Sequence, residues 1–136
     1  MFVSSLVDRP FHHVAVAVPS IEEARGLFEL LSGTSGSEPE TVESQGVRVM
    51  FVGPVELIEP LTPESAVARF LERRGTGLHH VAYESDDIPS DLARLKEAGL
   101  QLIDEEPRPG AGGHLVAFLH PRTTGGVLIE LVQRSG

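Results

Sequence analysis

The chain has 136 residues, 40% of them apolar and 23% charged, a balance that supports a soluble globular fold with its own core. It has no cysteine, which excludes disulfides, thiolate catalysis and zinc–thiolate sites and fits a reducing compartment. The formal charge of −9, without any basic arm or stripe, argues against a nucleic-acid partner. No run approaches the roughly 20 apolar residues of a membrane span, and "MFVSSLVDRP" lacks the basic start and long apolar stretch of a secretory signal, so a cytoplasmic protein without a membrane partner is expected.

In chain order, "FHHVAVAV" (11–18) reads as the first strand. Ser20 with Glu23 three residues on forms a capping-box pattern, and Ile21, Ala24, Leu27, Phe28 and Leu31 form the apolar face of the helix that follows. A strand near 34–44 is weakly signalled; stronger strands cover 46–53 and 55–61. Thr62 as N-cap, Pro63 at the first helical position and Gly75 as stop predict a linking helix over 62–75. "LHHVAY" (78–83) reads as a strand, and 88–98 as a helix on Ile88, Leu92, Leu95 and Ala98, stopped by Gly99. Strands are expected over 100–106, 114–120 and 126–133, with a loop at 107–113 and a turn at 121–126.

The first and seventh of these elements nearly repeat each other. His13 and His80 lie 67 residues apart, about half the chain, and each begins a strand–helix unit followed by further strands. The expected fold class is α+β, with two βαβββ modules, about 10–61 and 77–133, in a single domain over 10–136.

Strand alternation separates the neighbouring histidines. His12 shares a face with Val14, Val16 and Val18, whereas His13 shares one with Ala15 and Ala17; likewise His79 goes with Val81 and His80 with Ala82. The valine face is expected to pack on the helix and the alanine face to leave a hollow lined by His13 and His80, with His12 structural. Glu56 and Glu130 each sit inside an apolar strand, where a carboxylate needs a partner such as a cation. A rival alignment of "LIE" with "LIE" selects Glu59, but Glu59 precedes Pro60 at a strand end, where water reaches it easily. Two imidazoles and two carboxylates make an N₂O₂ set for one divalent metal; cobalt, manganese, nickel, zinc and iron(II) all suit it. The stretch from Pro107 to Ile129 carries no carboxylate but holds Arg108, His114, His120 and Arg122, a local welcome for an anionic ligand.

With "GLHHVAYESDDI" (77–88), "LIDEEPRPGAGG" (102–113) and "AFLHPRTTGGVLIELV" (117–132), supported by "QGVRV" (45–49) and "ARFLERRG" (68–75), the chain resembles the vicinal oxygen chelate (glyoxalase/bleomycin resistance) superfamily. Within it the chain is most similar to the methylmalonyl-CoA epimerase family. The resemblance implies paired βαβββ modules with curved mixed sheets around one divalent metal, cobalt first among the candidates, held by His13, Glu56, His80 and Glu130. It implies an isomerase that inverts C2 of methylmalonyl-CoA through a metal-stabilised enolate, with Glu130 as a catalytic carboxylate, and a homodimer with an acyl-CoA as its partner. Some relatives carry a second catalytic glutamate where this chain has Val49, so Glu56 is expected to act as both ligand and acid/base. Arg108, Arg122 and His120 are the expected contacts for the substrate's acid group or the CoA phosphates. Competing expectations are a glyoxalase I-like lyase acting on a thiol adduct, and a metal-free ligand-binding protein of the same superfamily.

Overall fold

The computed structural model describes residues 9–135, so the reading of the first eight residues as non-secretory lies outside the described residues. Eight strands and three helices follow one another among those described: β1 (Phe11–Ala17), α1 (Ile21–Ser32), β2 (Glu40–Val42), β3 (Val47–Val52), β4 (Val55–Pro60), α2 (Ala66–Arg74), β5 (Gly77–Glu84), α3 (Ile88–Glu97), β6 (Arg108–Pro109), β7 (Leu115–Leu119) and β8 (Ile129–Gln133). The order is βαβββ twice, with α2 between, as the repeat predicts.

The chain packs as two compact units, one of residues 13–80 with 110–112, the other of the remaining described residues. In the first, β4 pairs parallel with β1 and antiparallel with β3, and β3 pairs antiparallel with β2. One face of these strands buries Val16, Val18, Met50, Val52 and Leu57 against Ile21, Ala24 and Phe28 of α1. The other buries Ala15, Ala17, Val42, Val47, Val49 and Ile58 against Val67, Phe70 and Leu71 of α2 and against Ala111. The alanine face is therefore not a continuous hollow: α2 fills the part around Ala15 and Ala17, because small strand residues let a helix approach closely.

The second unit repeats the design. β8 pairs parallel with β5 and antiparallel with β7, and β7 pairs antiparallel with β6. Ala117, Leu119 and Leu131 pack on Ile88, Leu92 and Leu95 of α3, while Ala82, Val116 and Val132 form a smaller cluster. The Asp91 carboxylate on α3 is gripped by the Arg9 guanidinium, with Nη2 to Oδ1 at 2.6 Å and Nε to Oδ2 at 3.1 Å, and by the Ser85 hydroxyl at 2.6 Å. This network, together with the Glu84 N–H donated to the Pro10 carbonyl at 2.8 Å, fixes the residues that lead into β1.

Five local expectations are corrected. Leu27 and Leu31 are exposed, at 58% and 74%, rather than part of the apolar face of α1. At 100° per residue they stand about 90° and about 50° round the helix from the mean direction of Ile21, Ala24 and Phe28, which cover the sheet by themselves. The linking helix starts not at Thr62 but after Ser65, whose hydroxyl accepts the Ala68 N–H at 3.2 Å. Thr62 instead closes a turn, its carbonyl accepting the Ser65 N–H. Residues 100–106 make one isolated bridge, Leu102 to Leu119, instead of a strand; the Ile103 and Asp104 N–H groups both donate to the Phe118 carbonyl, so the segment crosses β7 rather than running along it. The edge strand falls at Arg108–Pro109, inside the expected loop, and the last strand begins at Ile129 rather than 126 because Gly125 and Gly126 (φ 76° and 92°) form the preceding turn.

Candidate metal centre

The parallel pairs place the two glutamates in identical settings. Ala15 of β1 stands opposite Glu56 of β4, and Ala82 of β5 opposite Glu130 of β8. Across the hairpins, Phe51 faces Glu56 and Phe118 faces Glu130. The hydrogen bonds that set these registers also repeat: Val14 N to Pro54 O and Val18 N to Ile58 O in the first module, Val81 N to Leu128 O and Ser85 N to Val132 O in the second. The seven residues by which the glutamate spacing exceeds the histidine spacing thus lie between β7 and β8, where the connection is longer than the tight turn between β3 and β4.

The rival glutamate has a different setting. Glu59 turns to the start of α1, where its Oε1 accepts the Ile21 N–H at 2.7 Å and Oε2 pairs with Arg48 at 3.3 Å. A carboxylate there meets the free N–H groups and positive end of the helix. Its counterpart is Gln133, whose Oε1 accepts the Ile88 N–H of α3 at 2.8 Å.

Within the first unit, three predicted ligands converge. His13 Nε2 lies 3.3 Å from His80 Nε2, and Glu56 Oε1 lies 3.2 Å from the first and 3.5 Å from the second. His13, Glu56 and His80 are 3%, 6% and 5% exposed, so water does little to solvate this triangle. Ligand atoms bound about 2.1 Å from one ion are about 3.0 Å apart at right angles and about 3.4 Å apart at tetrahedral angles. The observed separations, 3.2–3.5 Å, cluster about the tetrahedral value, and hard oxygen with borderline nitrogen donors suits a divalent first-row ion. The donor set fits a metal. Without one, a buried carboxylate beside two ring nitrogens has only their N–H groups to compensate its charge. Glu130, 4% exposed, holds the equivalent strand position in the second unit.

Phe51 and His79 carry more of the site than the sequence suggested. The Phe51 ring stands edge-on to the His13 ring, with centroids 5.3 Å apart and planes at 86°. Phe51 and Phe118 are separated by the same 67 residues as the histidines, a signal present in the repeat. His79 brings its Nδ1 to 2.9 Å from His80 Nδ1, although the alternation rule sends it to the opposite face. His12 lies beside His114, with ring centroids 6.5 Å apart.

The anion-binding candidates are set as follows. Arg108 pairs with Asp104 at 3.3 Å and lies over the Phe118 ring, 5.6 Å from its centroid. A carboxylate from just outside the carboxylate-free stretch thus balances part of its charge. His120 caps the short helical turn at Pro121–Thr123, its Nδ1 accepting the Arg122 N–H at 3.0 Å, and the Arg122 side chain is exposed.

Residues 12–118 match the family described as the Glyoxalase/Bleomycin resistance protein/Dioxygenase superfamily. The chain is 46% identical over 128 residues to an uncharacterized protein, YqjC, of Bacillus subtilis (strain 168), covering 91% of each chain. It is 40% identical to an ethylmalonyl-CoA/methylmalonyl-CoA epimerase of Cereibacter sphaeroides, covering 90% of this chain and 96% of the relative. The crystal structure of methylmalonyl-CoA epimerase from Mycobacterium tuberculosis superposes with a TM-score of 0.90 at 31% identity, over 100% of this chain and 94% of that one. The chain belongs to that superfamily and, within it, to the methylmalonyl-CoA epimerases, which are isomerases.

Proposed function

We propose that the chain inverts the configuration at C2 of a short 2-alkylmalonyl-CoA, methylmalonyl-CoA first, with one divalent metal held by His13, Glu56, His80 and Glu130. The observation that carries this reading is the buried triangle of His13 Nε2, His80 Nε2 and Glu56 Oε1, at ligand-to-ligand spacing, in a chain whose relatives are epimerases of such thioesters. Glu130 enters as the fourth ligand because it repeats Glu56 in strand register and burial.

The C2 proton of the substrate lies between a thioester and a carboxylate, so its loss yields an enolate. A bound divalent cation supplies Lewis-acid stabilisation of the charge that grows on the flanking oxygens. Glu130 removes the proton from one face, and Glu56 returns one to the other. Glu56 takes the second role because Val49 is a buried core residue, packed with Ala15, Ala17 and Ile58, and offers no proton. His13 and His80 would each offer Nε2 to the cation, and the Phe51 ring packs against the His13 ring. Arg108 and Arg122 serve the acyl-CoA anion. A homodimer in the cytoplasm belongs to the same proposal; sedimentation velocity decides its oligomeric part.

The test is deuterium uptake at C2 of methylmalonyl-CoA and ethylmalonyl-CoA in heavy water, with and without a chelator. Chelator-sensitive uptake is expected; no uptake by metal-loaded protein would point to another substrate, with a thiol–ketoaldehyde adduct as the next to try. Glu56→Gln should lower turnover by about 10³, as for loss of a general acid/base, while keeping most of the metal. Full activity in that variant would end the dual role of Glu56. Arg122→Glu should raise KM for the acyl-CoA, and an unchanged KM would remove Arg122 from the site.

A further inference from the structure

We propose that His79 is a positioning residue that fixes the tautomer and ring orientation of His80, a role that rests on the reading of His80 as a metal ligand. His80 presents Nε2 to the triangle with His13 and Glu56. A neutral imidazole carries one hydrogen, so an Nε2 lone pair available for a cation requires the hydrogen on Nδ1. That Nδ1 lies 2.9 Å from Nδ1 of His79, a hydrogen-bonding distance between two ring nitrogens. With His80 donating from Nδ1, His79 accepts at its Nδ1 and carries its own hydrogen on Nε2.

The His79 ring is in turn held from outside the strand. Phe70 of α2 stands edge-on to it, with centroids 4.9 Å apart and planes at 72°, and Phe70 belongs to the apolar layer that α2 lays over β1 and β4. The line of contact runs from the helix between the modules, through Phe70 and His79, to His80. An outer partner of this kind raises the basicity of the ligating nitrogen and removes ring rotations that lead away from the metal. Tandem histidines on a strand normally serve opposite faces; here both rings are committed to one ligand position.

The experiment compares the wild type with His79→Phe, which keeps a ring against Phe70 but has no acceptor, and His79→Asn, whose Oδ1 sits close to the place of the His79 Nδ1. Zinc and cobalt affinities are measured by competition with a chromophoric chelator, and metal-free stability is measured alongside by urea unfolding. His79→Phe should bind metal about 10- to 100-fold more weakly than wild type, with metal-free stability unchanged. His79→Asn should recover affinity to within about threefold of wild type, since it restores the acceptor. In metal-free wild type, ¹⁵N shifts should report His80 with its hydrogen on Nδ1. Wild-type metal affinity in His79→Phe, or equal losses in both variants, would overturn the positioning role alone. A wild type that binds neither metal would overturn the metal reading and this inference together.

Discussion

The Arg9–Asp91–Ser85 network offers a test whose size and pH dependence both follow from the structure. Asp91 is 8% exposed, and its two oxygens take three short bonds, from Arg9 Nη2 and Nε and from the Ser85 hydroxyl. Burial on its own pushes the Asp91 carboxyl up, but the Arg9 and Ser85 bonds outweigh it and hold the carboxyl below its ordinary value. In Asp91→Asn the amide cannot accept on both sides, and its NH₂ faces a donor. Removing one partner of a buried pair costs about 3–5 kcal/mol, and the water that reaches the edges of this pair lowers the expected cost to about 2–3 kcal/mol. For a chain of this length that corresponds to a fall in Tm of about 10 °C at pH 7. The sign with pH is fixed. Because the folded pKa lies below the unfolded value of about 3.9, the unfolded chain binds the proton first, and the contribution is present above that value. It is lost as pH falls through the folded pKa. Urea unfolding of wild type and Asp91→Asn between pH 7 and pH 3 should show a gap that narrows at the acid end. A gap under about 0.5 kcal/mol at pH 7, the scale of an exposed pair, or one constant down to pH 3, would refute the reasoning.

Saturating zinc or cobalt, at about 100 times Kd, should stabilise the wild type by about 2.7 kcal/mol; differential scanning fluorimetry should show a chelator-reversible rise in Tm that His13→Ala abolishes. Leu57 is fully buried among Val16, Ile21 and Met50, and Leu57→Ala should cost about 2–5 kcal/mol in urea unfolding. Gly36→Ala would place a Cβ 1.9 Å from the Met50 side-chain terminus and 3.2 Å from the Phe51 carbonyl oxygen. Because Met50 is fully buried and has little room to yield, the expected loss is about 1–3 kcal/mol, and an equally stable variant would show that the 34–39 segment shifts without cost.

Much of this architecture was legible because the sequence states it twice. The offset from His13 to His80 extends to Ser20 and Asp87, each capping a helix, and to Ile21 and Ile88, each receiving a side-chain acceptor from the last strand of its module. Alternation placed His13 with the alanines, and the valine face does meet α1. What stayed hidden depended on contacts remote in sequence. The pattern of 100–106 alternates as a strand does, yet Leu100 and Leu102 pack singly under α3 and the Asp104 carboxylate turns back to the Phe118 N–H. The repeat itself held the correction, since β2 at 40–42 shifted by 67 residues lands on β6. Nothing in the local pattern of "LHHVAY" distinguishes a histidine facing away from one bending back to its neighbour; that depends on Phe70, which arrives from α2.

The unequal connections of the two modules have a practical side. Between β3 and β4 the chain turns in two residues, whereas between β7 and β8 it uses nine, and both hairpins still hold a phenylalanine opposite a glutamate. Strand pairing, not loop length, sets where Glu130 stands. Loop closure costs little for added length, only about 0.6 kcal/mol per doubling. The Gly125–Gly126 turn, past Arg122, is therefore a natural insertion point: a tag or fluorophore-binding peptide spliced there should leave the register of β8 intact.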